Sequence, residues 1–163
     1  MSSDVDVFKL YPRPGLGRTK TIRRFWWRVE VWPNVKSVQA RYREAVGRSG
    51  RCHGFVLRSR RDEVRDRYDV VRHHKSLPRG EAGMLCLART KLDLRVVSHE
   101  CTHLALYTFS FFNPVLNFDS AFFHGVSDET VAYLVGHYVE DVYEELLKVG
   151  TVRMQPWVYG RKS

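Results

Sequence analysis

The stretch Val96-Val97-Ser98-His99-Glu100-Cys101-Thr102-His103-Leu104-Ala105-Leu106 decides how the rest of this sequence is interpreted. It contains the pattern His-Glu-x-x-His between two apolar segments. Positions four apart lie on one face of an α-helix, so His99 and His103 can bind one metal ion between them. Glu100 lies beside the pair, where its carboxylate can act as a general base on a water that the metal activates. The spacing is typical of zinc hydrolases and predicts Zn2+ as the cofactor.

Patterns on either side of this motif predict an α+β fold. Alternating apolar and polar residues indicate a half-buried strand at 25–32, ended by Pro33, and Asn34 is a suitable N-cap for a helix over about 35–46. The other predicted elements are strands at 54–57 and 82–88, a helix from about 94 to 110 capped by Asp93, and a helix over about 128–148 capped by Ser127. We therefore expect a short twisted sheet packed on the motif helix and on the second helix.

The length of 163 residues, with 44% hydrophobic and 13% aromatic residues, predicts one globular domain over 1–163. The zinc-site core is predicted within 82–148. The basic, turn-rich beginning is predicted to form an irregular N-terminal arm over 1–21. The mixed-charge run at 58–75 is typical of a solvated loop or an exposed helix, and the tail at 152–159 of a final strand.

The three cysteines, Cys52, Cys86 and Cys101, form no Cys-x-x-Cys pair, and their odd number does not indicate a disulfide framework. Cys101 is two residues from each motif histidine and therefore off the ligand face, so a packing role is predicted. There is no secretory signal and no apolar run long enough to span a bilayer. These features predict a soluble, cytoplasmic protein that does not enter a membrane.

The formal charge of +9 and the pI near 9.7 favour encounters with polyanions. Because the excess of basic residues is concentrated in the first half, a nucleic acid or an acidic protein is a candidate partner for that half. The alternative is a solvated, arginine-rich surface. The tryptophans of 25–32 follow the strand alternation, which favours core positions over base-stacking platforms.

A catalytic zinc site needs three protein ligands and an open position for water, and the motif supplies only two. Glu129 is the preferred third ligand because it begins the next predicted helix in Glu129-Thr130-Val131-Ala132. An acid is also expected in a first helical turn for electrostatic reasons alone. His124, in Phe123-His124-Gly125, is the rival ligand.

With these residues the region from about Gly83 to Glu140 resembles the gluzincin zinc metallopeptidases, particularly their minimal bacterial and phage forms. The resemblance implies a small zincin-like domain, located in the host cytoplasm if the protein is phage-encoded. It also implies that the strand Gly83 to Ala88 forms the edge of the cleft, where a substrate peptide would pair with the backbone.

Carried over to this sequence, the resemblance makes His99, His103 and Glu129 the zinc ligands and Glu100 the general base. The sequence departs from the pattern at Tyr133, where many gluzincins have an aspartate that orients a histidine.

Tyr133 and His137 follow Glu129 by one and two helical turns, about 6 and 12 Å. They are candidates for oxyanion or substrate contacts, although packing roles are favoured for both.

The sequence therefore predicts zinc-dependent hydrolysis of peptide bonds in a peptide or protein substrate. One alternative is a protease similar to the DNA-linked SprT-like proteins, with His124 as third ligand. The other is a basic regulatory protein that binds nucleic acid or protein and has a non-catalytic zinc site.

Overall fold

The computed structural model describes residues 4–13, 23, 25–58, 63–65, 71–73, 80–112 and 126–150. In chain order, the elements in these ranges are β1 (Asp6–Leu10), β2 (Phe25–Trp32), α1 (Val35–Val46), β3 (Gly54–Arg58), β4 (Glu63–Arg65), β5 (Val71–His73), β6 (Gly80–Ala88), α2 (Leu94–Phe112) and α3 (Val126–Lys148). A short 3-10 turn, Arg89–Lys91, joins β6 to α2. The predicted α+β class is confirmed.

The main sheet has four strands in the order β1-β2-β6-β3. β2 and β6 are parallel neighbours, while β1 and β3 pair antiparallel with them on the two outer sides. Leu85 of β6 pairs with Val29 on one side and with Val56 on the other. The prediction that Gly83 to Ala88 forms the cleft edge is therefore wrong, because neighbouring strands already occupy the backbone groups that a substrate would need.

Helices cover both faces of the sheet. Alternate residues of β2, including Trp27 and Val29, are fully buried in the core that α2 and α3 share with the sheet. On the opposite face, Val38 of α1 packs with Phe55 and Cys86 in a smaller cluster. The motif helix and the following helix thus pack on one side of the sheet, as predicted.

Trp27 connects β2 to both helices on that side. Its indole Nε1 donates a hydrogen bond to Thr108 Oγ1 at 2.9 Å, and Thr108 Oγ1 lies 2.7 Å from the Tyr138 hydroxyl. All three side chains are buried, so the network satisfies polar atoms that would otherwise be costly inside the core. The aromatic residues of this strand are core residues where they face α2 and α3, as the alternation predicted.

Helix boundaries follow the predicted caps with one exception. Asn34 accepts a hydrogen bond from the Ser37 amide at the start of α1, and Asp93 accepts one from the Val96 amide at the start of α2. α3 begins at Val126, so Ser127 lies inside the helix and is not its N-cap. Of the helices in the described ranges, none is both long and apolar enough to cross a membrane.

Two segments predicted to be irregular contain strands. Asp6–Leu10 is an edge strand on β2, which corrects the predicted arm over 1–21; its alternating pattern leaves Leu10 fully buried. β4 and β5 form an antiparallel pair within the mixed-charge run, which was predicted as a loop or exposed helix. The predicted strand at 152–159 lies outside the described residues.

Candidate active site

His99 and His103 are exposed on one face of α2, as the motif predicted. Their Nε2 atoms are 3.3 Å apart and the two rings are nearly perpendicular. Two nitrogens bound to one tetrahedral zinc at about 2.0–2.1 Å would themselves be separated by about 3.3–3.4 Å. The separation of the two imidazoles therefore fits a shared tetrahedral metal ion without rearrangement of the helix.

The protonation of His103 also suits metal binding. Partial burial and the neighbouring His99 ring lower the pKa of His103 from its ordinary value of 6.5. At neutral pH the ring is consequently in the uncharged form, which has a lone pair available for a metal ion.

Glu100 differs from the two histidines in being buried. Its exposed fraction is 7%, and burial raises the pKa of its carboxyl from 4.5 to about 7. Within the described part of the chain, this carboxyl has neither a hydrogen bond nor an ion pair. A general base is most effective when its pKa is near the working pH, and burial gives Glu100 that property.

Gly54 makes room for the Glu100 side chain. A Cβ atom at this first residue of β3 would lie 2.9 Å from Glu100 Cγ and 3.0 Å from the Cys86 carbonyl oxygen. The strand β3 therefore lies directly against the motif helix at Glu100, the candidate general base. The sequence pattern marked Gly54 only as the beginning of a strand and contained no signal of this contact.

The histidine pair and Glu100 face a cleft of about 730 Å³, to which β3 and the residues before it also contribute. Cys52 and His53 line this cleft. The pKa of the Cys52 thiol is raised, first by burial of the thiol and second by the negative charge of Glu100. Sequence reasoning missed both residues because neither belongs to a recognisable ligand spacing. Only the antiparallel pairing of β3 with β6 brings them to the motif.

The opposite face of α2 anchors the helix. Val97, Cys101, Leu104 and Ala105 are fully buried in the main core. The predicted packing role of Cys101 is confirmed, and burial raises the pKa of its thiol to about 12. A buried, protonated thiol of this kind is a poor metal ligand, which leaves the histidines as the ligand candidates on this helix.

Glu129, Tyr133 and His137 lie elsewhere. They line a separate shallow hollow of about 360 Å³ on α3, together with Glu140. Glu129 is exposed, Tyr133 is 41% exposed, and His137 Nδ1 is 3.7 Å from Glu140 Oε2. The three residues share one face of α3, but none of them lines the cleft at the motif.

The third metal ligand is consequently not assembled by the residues that the structure describes. Among them, no group of three His, Cys, Asp or Glu side chains could hold a metal ion. His124 lies outside the described ranges. The assignments of Glu129 and His124 as third ligand therefore stay predictions, while the geometry at His99 and His103 fits two of the required ligands.

Comparisons with known proteins add no family assignment: no family model matches the chain, and neither the curated proteins nor the solved structures contain a significant match. The likeness to gluzincins consequently rests on the motif residues alone.

Proposed function

We propose that this protein is a zinc-dependent peptidase with a zincin-like arrangement of helix α2 and the sheet. The observation that carries the proposal is the 3.3 Å separation of the His99 and His103 Nε2 atoms beside the buried Glu100. This combination supports a metal-assisted hydrolysis, since each of the three side chains has the chemistry that its role requires.

The chain's own residues would divide the reaction between them. His99 and His103 would hold Zn2+ through their Nε2 atoms. The bound ion would supply activation of a water molecule and polarisation of the peptide carbonyl. Glu100 would accept a proton from the attacking water and deliver it to the leaving amine.

The test of catalysis is Glu100→Gln, which preserves the size of the side chain and removes the base. We expect the variant to retain zinc and to lose cleavage of an unfolded protein substrate by about 100-fold or more, the usual contribution of general base catalysis. Glu44→Gln, at an exposed position on α1, is the matched control and should cleave like the wild type. Equal cleavage by wild type and Glu100→Gln would refute the peptidase proposal.

A separate test concerns the third ligand. We infer that one of the two predicted residues supplies it. Because Glu129 lies outside the cleft at the motif, His124→Ala should lower the zinc content measured by mass spectrometry more than Glu129→Ala does. His53→Ala is the control, because His53 lines the cleft but is not part of the inferred ligand set. Loss of zinc only in His53→Ala would contradict the inferred ligand and remove the basis for the gluzincin likeness.

A further inference from the structure

Four of the six α2 residues that line the cleft are spaced by four along the helix, and the other two are Val96 and Glu100. Arg95, His99, His103 and Tyr107 all face the cleft. Successive members of this row are separated by about 6 Å along the helix axis. The cleft therefore has a defined direction, with an arginine at one end of the row, the histidine pair in the middle and a tyrosine at the other end.

The cleft lining is rich in basic residues, and two of them, Lys91 and Arg95, lie four residues apart around the start of α2. Arg51 and Lys91 line the same cleft, and all three basic side chains are exposed. Within the described residues none of the three forms an ion pair. Asp93 is the nearby acid of the lining, and its carboxylate accepts the hydrogen bond that caps α2. With Glu100 counted as well, the lining has three cations against two carboxyl groups, so an excess of positive charge is left, which a cleft concentrates.

The other end of the cleft is aromatic. The Tyr107 ring is stacked on Trp27 with the ring centres 6.3 Å apart. The guanidinium of Arg58 lies over the rings of Tyr107 and Phe111, at 5.5 and 4.9 Å from their centres. Arg58 does not line the cleft, so a side chain bound at this end contacts the Tyr107 ring. The charge of Arg58 persists beside that ring, as one cation against the three cations of the lining.

We propose that the cleft selects polypeptides with an acidic side chain on one side of the scissile bond and an apolar or aromatic side chain on the other. This inference rests on the proposed function, which sets the reacting bond at the histidine pair. The midpoint of that pair is about 9 Å along the helix from both Arg95 and Tyr107. An extended peptide advances about 3.3 Å per residue, so each selected side chain lies two or three residues from the bond.

The proposal is tested by binding, independently of cleavage. Fluorescent ten-residue peptides with Glu, Gln or Lys three residues from a central bond are titrated against zinc-loaded Glu100→Gln in low and high salt. Exposed charge pairs are worth up to about 1 kcal/mol each, so at low salt the Glu peptide should bind about fivefold or more tightly than the Gln peptide. The preference should decrease as the salt concentration rises.

Charge reversal locates the effect. Adding Arg95→Glu to the Glu100→Gln protein should abolish the preference for the Glu peptide and favour the Lys peptide. Adding Lys36→Glu, at an exposed position on α1 and outside the cleft, should leave the preference within twofold. Thermal melts verify that both proteins are folded. An unchanged preference in the Arg95→Glu protein, or an equal loss in the Lys36→Glu protein, would overturn the proposal.

The two proposals fail separately. Cleavage by wild type without any charge preference would overturn the acidic specificity and leave the peptidase proposal intact. Acid-selective binding without cleavage by wild type would overturn the peptidase proposal and leave the acidic preference of the cleft intact. A single-stranded oligonucleotide serves as competitor. If it bound more tightly than the Glu peptide and this binding were lost in the Arg95→Glu protein, the basic end would be a nucleic-acid site and the proposal would be wrong.

Discussion

Replacing Glu100 with glutamine should stabilise the metal-free protein at alkaline pH. In the folded state the pKa of Glu100 is about 7, whereas an exposed carboxyl titrates near 4.5. The folded protein therefore binds this proton more tightly than the unfolded chain does. The stability associated with the protonated carboxyl is fully present below pH 4.5 and is lost as the pH rises through about 7. Glutamine is uncharged at every pH and avoids the loss.

The size of the effect follows from the two pKa values. Each pH unit between them corresponds to about 1.36 kcal/mol, which gives a difference of about 3 kcal/mol between pH 4.5 and pH 8. Relaxation around the carboxylate returns some hydration, so we expect the advantage of Glu100→Gln to grow by about 2–3 kcal/mol over this interval. The buried amide also lacks a partner, but its cost is the same at every pH and does not affect the slope.

Urea denaturation with a chelator present, repeated at pH 4.5, 6 and 8, measures this slope for wild type and variant. Wild type and Glu100→Gln have the same histidines, so the contribution of the histidines cancels in the difference between the two proteins. The control is Ala40→Ser at an exposed position on α1, which changes no ionisable group and should leave the pH dependence as it is in the wild type. If the free energies of unfolding of wild type and Glu100→Gln differ by the same amount at all three pH values, Glu100 is not a desolvated carboxyl and the reasoning fails.

Three further predictions concern stability in denaturation experiments. Gly54→Ala should lower the free energy of unfolding by about 1–3 kcal/mol because its Cβ would crowd Glu100 Cγ. A variant as stable as the wild type would show that β3 is not so close to α2. Arg41→Met should cost about 1–3 kcal/mol at pH 7 because it removes the 3.1 Å hydrogen bond to buried Glu30. Burial acts to raise the Glu30 pKa, but hydrogen bonds outweigh it and lower the pKa below 4.5, so this cost should shrink as the pH falls below 4.5; a constant cost would contradict the pairing. Asn34→Ala removes the side-chain oxygen that caps α1 and should lower the stability measured in a thermal melt by about 1 kcal/mol. An unchanged melting temperature would contradict the role of this cap.

Local patterns were sufficient to predict most of the elements that carry the site. The alternation in Phe25–Trp32, the cap Asn34 and the cap Asp93 each depend on interactions within a few residues, and the structure contains them. Strand order depends on contacts between distant segments. An apolar strand such as β6 can therefore be recognised as buried while its neighbours in the sheet remain unpredictable from its own residues.

The candidate site shows the same division. Helical spacing correctly predicted that His99 and His103 share a face and that Cys101 is buried. It contained no information about Gly54 or His53, which reach the site because β3 pairs with β6 far along the chain. The spacing on α3 correctly grouped Glu129 with Tyr133 and His137, but a shared helical face does not determine which cleft that face meets.

The burial of Glu100 argues against a purely structural metal site. A structural site requires ligands, and the exposed histidines could bind an ion without any carboxyl behind them. An apolar residue at position 100 would pack against β3 without the cost of desolvating a charge. The chain instead has an acid there, and the glycine at position 54 of β3 leaves room for it, since a Cβ atom at Gly54 would lie 2.9 Å from Glu100 Cγ. An ionisable group that destabilises the fold at its own position supports the proposed catalytic role, because its packing alone offers no compensating interaction within the described residues.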